Sequence, residues 1–307
     1  MSLLLHRLYY VVRPLIPRSL QIAARRKIAA RKRERHRHIW PIDPGAGMPP
    51  LGWKGWPQAR KFAFILVHDV DTHVGVGKCK DLAKLEMDLG LRSSFNFVPL
   101  RYNSKDSLRA WLSNQGFEIG VHGLYHDGKL FLSRKTFLER AEKINDFLRR
   151  WDAVGFNAPS MLRNLEWILD LDIEYDQSTF DTDPFEPQAE GVRTIFPFIY
   201  RGRGDGAGYV ELPYTLPQDH CLFVILQEKD ISIWKQKLDW IAEKGGMALL
   251  NTHPDYMNFG NKQDALEEYP VSHYLDFLTY VKTKYRGQYW NALPRDIARF
   301  WRATMAS

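Results

Sequence analysis

The chain has 307 residues, 45% of them apolar and 13% aromatic. That composition excludes a disordered polypeptide and allows a sizeable core, in one large domain or two small ones. The net charge of +7 is uneven: residues 1–40 hold eleven Lys and Arg against one acid, leaving the remainder at −3, so the basicity belongs to a tail.

Leu3 to Ile16 is apolar but interrupted by His6, Arg7 and Arg13. It reads as neither a signal peptide nor a spanning helix. Arg18 to Arg37 is rich in Ala and Arg and predicts a helix. Two readings stand: a basic segment lying on an anionic membrane surface, or a solvated helix packed on its own domain. No zinc-finger pattern or aromatic-interleaved basic groove supports nucleic-acid binding. Trp40 to Pro57 is rich in Pro and Gly and predicts an irregular connector. The expected division is a basic extension and connector over 1–57 and a catalytic domain with C-terminal helices over 58–307.

From Lys61 onward strands and helices alternate. Strands are predicted at Phe62–Val67, Ser93–Val98, Phe117–Val121, Val154–Phe156, Ile173–Asp176, Thr194–Ile199 and Met247–Asn251. Helices are predicted at Lys80–Leu89, Ser107–Asn114, Arg134–Trp151, Asn164–Leu171, Ile231–Lys244 and, as the last long one, His273–Tyr285. The alternation implies parallel strands with crossover helices; periodicity alone leaves open sheet or barrel. Cys79 and Cys221 have no ligand spacing, and nothing favours a disulfide.

In parallel α/β folds the functional residues gather past the C-terminal ends of the strands. The first strand is followed by Asp69 and Asp71, the third by His122 and His126, the late one by His253, and Ile173–Tyr175 by Asp176. Charge at the end of an apolar strand needs a partner. Two histidines four apart would share a helical face and could hold one metal. An HxxxH pair alone is weak evidence. Combined with Asp69-Val70-Asp71 at another strand end, it offers two imidazoles and a carboxylate with open positions, a catalytic type of site.

Asp69-Val70-Asp71, His122-x-x-x-His126 and Leu250-Asn251-Thr252-His253, in that order, resemble the motifs of the polysaccharide deacetylase family, in its DVD-type branch. The resemblance covers about Lys61 to Tyr256. It implies a deformed (β/α) barrel and one divalent metal, expected to be zinc. It further implies Asp71, His122 and His126 as metal ligands, Asp69 as general base and His253 as general acid. The implied reaction removes an acetyl or formyl group from an amino sugar of a glycan or a lipid-linked precursor. The alternatives are hydrolysis of a non-sugar C–N bond, as in allantoinase-like relatives, or a degenerate member that binds metal or glycan without turnover.

One position departs from the family pattern. Asn157, in GFNAPSM, stands where an arginine usually orients the base. Asn carries no positive charge, so Asp69 is expected to be more basic or less well aligned, with Arg163 as the nearest substitute. Asp176 matches a further motif loosely, with a supporting role in holding His253 protonated. Tyr125, Phe180 and Tyr256 adjoin the motifs and suit either sugar stacking or core. His68 is expected to pack, His73 to be exposed, and Asp181, Asp183 and Glu186 to form a turn of solvated or Arg-paired carboxylates. The expected partner is an N-acylated saccharide, with an anionic membrane surface and self-association as further options. The expected setting is the cytoplasm, peripheral on the inner face of the membrane.

Overall fold

The computed structural model describes residues 17–203, 206–260 and 266–305. The piece from Leu3 to Ile16 lies outside them. The central strand β1 (Phe62–Val70) is buried along its whole length. It pairs in parallel with β8 (Met247–Thr252), β2 (Ser94–Phe97) and β11 (Tyr289–Asn291). Burial on both faces explains its unbroken apolar run.

The sheet continues through β3 (Glu118–His122), β4 (Gly155–Asn157), β5 (Tyr175–Asp176) and β7 (Tyr209–Glu211), all parallel, to the antiparallel edge strand β6 (Phe198–Tyr200). It curls back on itself. Parallel bridges Phe180–Tyr214 and Leu216–Leu250 carry the chain from the far side toward β8. The sheet-or-barrel question is thereby decided by residues 214–216, which carry no strand periodicity. A small sheet pairs β9 (Met257–Asn258) with β10 (Tyr269–Pro270).

Crossover helices cover the outside. α2 (His73–Asp88) begins at His73, not Lys80, because Thr72 caps it: its Oγ1 accepts the Val74 N–H. α3 (Asp106–Asn114) and α6 (Ser232–Lys244) start within a residue of expectation. α4 (Arg134–Trp151) lies where predicted, with Ser133 as its cap and Phe137, Ala141, Ile144 and Leu148 on its buried stripe. The predicted helix Asn164–Leu171 shrinks to the short α5 (Leu165–Ile168). α7 (Ser272–Lys284) is not the last helix: α8 (Pro294–Met305) follows, burying Ile297, Ala298 and Trp301. A π-helical turn, His220–Ile225, lies outside the predicted elements, since its i→i+5 hydrogen bonding follows neither the strand nor the α-helix period.

The basic helix α1 (Arg18–Arg35) is packed on its own body. Ile22 and Ala29 are buried, and Ala29 clusters with Val224 and Ile225 of the π-helical turn. Arg26 donates to the carbonyls of Val224 and Leu266, and Arg18 and Arg33 pair with Glu267 and Glu228. The connector packs too: Trp53 and Trp56 sit against Phe300 and Trp301. Among the described residues, no helix is long and apolar enough to cross a membrane.

Candidate metal centre and catalytic residues

β1, β3, β4 and β8 all deliver polar side chains at their C-terminal ends. Asp71 follows β1 directly, His122 ends β3, Asn157 ends β4, and His253 follows β8. His126 does not share a helical turn with His122. The chain leaves β3 through Gly123 at φ 62°, and His126 itself has φ 54°. A Cβ on Gly123 would stand 2.6 Å from Pro159 Cδ, so glycine is required there. This turn brings His126 back beside His122, with ring centroids 5.2 Å apart.

The ligand atoms of Asp71, His122 and His126 all lie within 4.8 Å of one another. His126 Nε2 is 3.0 Å and His122 Nε2 is 3.4 Å from Asp71 Oδ1. His122 Nδ1 lies 3.1 Å from the Asn157 carbonyl, which can only accept, so Nδ1 carries the proton and Nε2 presents a lone pair. Asp71 Oδ1 is buried and has no hydrogen-bond partner. A carboxylate oxygen facing an imidazole lone pair, out of water, fits a cation held between them.

Asp69 is 2% exposed and is held by amides. Asn96 Nδ2 donates to Oδ1 at 2.9 Å; Asn157 and Asn251 donate to Oδ2 at 3.2 and 2.7 Å. Asn157 thus reaches the aspartate that, in the family pattern, an arginine orients. Asn96 and Asn251 complete a neutral cradle that the arginine-centred reading missed. Arg163 takes no part in this cradle: its guanidinium is spent on the carbonyls of Met161, Gln188 and Glu190 and lies over the Phe180 ring.

His253 is 7% exposed, and Asp219 meets it, not Asp176. His253 Nδ1–H donates to Asp219 Oδ1 at 2.7 Å, its backbone N–H to Oδ2 at 2.8 Å, and Tyr269 OH to Oδ2 at 2.9 Å. Burial opposes a charged imidazole, but Asp219 and then Asp71 and Asp69 push its pKa up to about 10. Asp219 lies in an apolar run, PQDHCLFVI. A lone acid there was the available signal. Asp176 points elsewhere, accepting from Ser178 and buried against Glu211.

The remaining residues divide plainly. Tyr256 sits beside His253 and His220, with ring centroids 5.3 and 4.6 Å away. Tyr125 lies under Arg140, which is paired to Asp127. Phe180 is core. His68 does more than pack: it joins Thr252 Oγ1 at 2.8 Å to Glu86 Oε1 at 2.7 Å. His73 is exposed. Asp181 and Asp183 are buried, correcting the expectation of solvated carboxylates; Asp181 pairs with the buried Lys237. Burial pushes Asp181 up to about 6 and Glu186 up to about 7.

No family model matches the sequence, and no curated protein matches it either. Solved structures do match. One described as a polysaccharide deacetylase from Mycobacterium smegmatis aligns over 83% of this chain and 95% of its own, with TM-score 0.63 and 18% identity. Another so described, from Pseudomonas aeruginosa PAO1, covers 87% of this chain and 100% of its own, with TM-score 0.63 and 16% identity. The fold is that of the polysaccharide deacetylases. Puue allantoinase has it too, at TM-score 0.64 and 17% identity over 87% of this chain and 99% of its own. In this deacetylase fold the described rim carries both the three-ligand cluster and the two groups flanking it, Asp69 and His253.

Proposed function

We propose that this chain is a metal-dependent hydrolase that removes an N-acyl group from an amino sugar. One observation carries the reading: the Asp71 oxygen without a hydrogen bond faces the imidazole nitrogens of His122 and His126, and both Asp69 and Asp219-bound His253 act on this same rim. Asp71, His122 and His126 would hold one divalent ion, with zinc the best match for two imidazoles and a carboxylate. Such an ion supplies Lewis acidity, activating water and polarising the acyl carbonyl.

The chain's own groups divide the proton work. Asp69 Oδ2 accepts two amides, and Oδ1 accepts one, so Oδ1 keeps a lone pair for the proton of the attacking water. His253, kept charged by Asp219, delivers a proton to the departing amine, which would otherwise leave poorly. The products are a free amine and a small acid such as acetate or formate.

The test is amine and acid release from a panel of N-acetyl and N-formyl sugars, with zinc, with chelator, and in His122→Ala. Release that needs zinc and is lost in the variant, together with the variant's bound ion, supports the proposal. Unchanged metal content in His122→Ala sinks the ligand assignment. The likeness to an allantoinase favours a second reading, hydrolysis of a non-sugar C–N bond. Turnover of allantoin in the same panel, with no sugar turned over, would select it. Metal binding without turnover of any compound would select the degenerate reading.

A cytoplasmic setting at an anionic membrane belongs to the same proposal. Arg31 and Arg35 on the exposed side of α1 supply its charge. Loss of anionic-vesicle binding on charge reversal of both would support it; unchanged binding would remove it.

A further inference from the structure

Gln177 directly follows β5 and is 1% exposed. Neither its amide nitrogen nor its amide oxygen has a hydrogen-bond partner among the described residues. The side chains around it in sequence are engaged: Asp176 accepts from Ser178, and Thr179 donates to Glu211. A buried amide with no partner costs free energy, so it points to a group that is brought to it.

Strand register places the side chain. β4 and β1 are not neighbours in the sheet, so the hydrogen bond from Asn157 to Asp69 crosses the barrel interior and marks the inner face of β4. Alternate residues of a strand share a face, so Gly155 lies on that face too. Gly155 is paired with Tyr175, whose ring stands 2.0 Å from where a Cβ on Gly155 would be, so Tyr175 also faces inward. Gln177 is two residues further, and its N–H continues the ladder to the Phe156 carbonyl at 2.9 Å. His122 is paired with Asn157. His122, Asn157 and Gln177 therefore form one inward-facing rung, with the Gln177 backbone two strand spacings, about 10 Å, from that of His122. The Oδ1 atoms of Asn157 and Asn251 are also buried without a partner, and the nitrogens of the same two amides hold Asp69. The interior beside the candidate base thus has unmatched hydrogen-bonding capacity on β4, on β8 and just past β5.

We infer that Gln177 contacts the substrate, and that the group it takes is neutral and both donates and accepts a hydrogen bond. A primary amide offers donors at one end and an acceptor at the other, so a hydroxyl matches it, whereas a carboxylate or phosphate would leave the amide oxygen unpaired. The same rung carries His122 of the ligand cluster and Asn157, which holds Asp69, so the hydroxyl lies near the amide that is cleaved. Two hydroxyls meet that description: one on the acyl half, as in a hydroxyacetyl group, and the sugar hydroxyl beside the amine-bearing carbon. This rests on the amide-hydrolysis reading, and it makes Gln177 a specificity-determining residue.

Calorimetric binding to the full chain, with zinc added, tests this with three probes. N-acetylglucosamine is the reference, N-glycolylglucosamine adds a hydroxyl on the acyl half, and 3-deoxy-N-acetylglucosamine lacks the hydroxyl beside the amine-bearing carbon. In the wild type the expected result is roughly 10-fold tighter binding of the hydroxyl-bearing member in at least one comparison with the reference. Which comparison shows it identifies the half of the substrate that Gln177 reads. In Gln177→Met, of similar size but without the amide, that difference disappears. The urea midpoint of the free variant is unchanged or higher, because no hydrogen bond is lost. Equal binding of all three probes, no binding of any, a difference that survives Gln177→Met, or a lower urea midpoint overturns the inference. Amine release is read separately. Binding with the Gln177-dependent difference but without release counts against the hydrolase reading and leaves the contact standing. Release from all three probes at equal rates, in wild type and variant alike, does the reverse.

Discussion

The Asp255 carboxylate accepts the backbone N–H of Asp71 at 2.9 Å. It also accepts from Thr72 N at 3.0 Å, Thr72 Oγ1 and Gly75 N at 3.2 Å. One side chain from the His253 loop therefore clamps the segment that carries the carboxylate of the ligand cluster. A Cβ on residue 75 would come within 2.1 Å of the Asp255 carboxylate, so glycine at that position belongs to the clamp.

Asp255→Ala leaves those backbone donors without their carboxylate. We expect about 2 kcal/mol of lost stability in urea. Zinc affinity should fall roughly 10- to 100-fold, as when a group supporting a metal ligand is removed. Equal zinc affinity in wild type and variant, by competition with a chromogenic chelator, would show that the clamp does not position Asp71.

Asp219→Asn should move the alkaline side of the pH–rate profile. In the proposed mechanism His253 works protonated, so activity falls as pH rises through its pKa, about 10 here. Replacing the Asp219 charge should draw that limb down by roughly 1 to 3 pH units. The folded pKa is raised above the unfolded value of about 6.5. The Asp219–His253 contribution to stability is therefore full below that value and is lost as pH rises toward 10. Superimposable kcat profiles for the two proteins would contradict the acid role.

Asn157→Ala removes one of three amides from Asp69. A hydrogen bond to a charged group lost at the base predicts a fall in kcat of roughly 10- to 100-fold with KM little changed. A change in KM alone would mean that Asn157 contacts substrate and does not orient the base.

Asp176 and Glu211 are both fully buried, and among the described residues neither forms a salt bridge. Burial raises both carboxyls, Asp176 to about 6, and Asp176 raises Glu211 further. Carboxyls raised in the folded state stabilise it below the ordinary carboxylate range, and that contribution is lost as pH rises through the folded values. Glu211→Gln should therefore gain roughly 1–3 kcal/mol at pH 8 and less at pH 5 in urea titrations. Equal shifts at both pH values would show that the pair shares no buried charge.

The strand ends made much of the candidate site legible. Asp69, Asp71, His122 and His253 stand at or just past apolar runs, and a parallel sheet places such positions on one rim. Asp219 and Asn96 were not legible in the same way. Asp219 opens a π-helical turn with no recognised period, and Asn96 lies inside a strand as an ordinary alternating residue. Each joins the candidate site only because of what lies across the barrel from it.

By itself, the sequence determined the alternation of strands and helices, the polar rim and the grouping of two imidazoles with a carboxylate, because these follow from periodicity and strand direction. Only the tertiary structure decided how Asp69 is held. The family motif has an arginine where this sequence has Asn157, and three asparagines from β2, β4 and β8 supply neutral donors to Asp69. It also decided the place of α1. Amphipathic basic sequence suits a membrane and a protein surface equally, and the carbonyls of Val224, Leu266 and Pro184 receive its cations here. Hydrogen bonds between residues far apart in the chain depend on where the barrel brings the strand ends together, and that is information no local pattern carries.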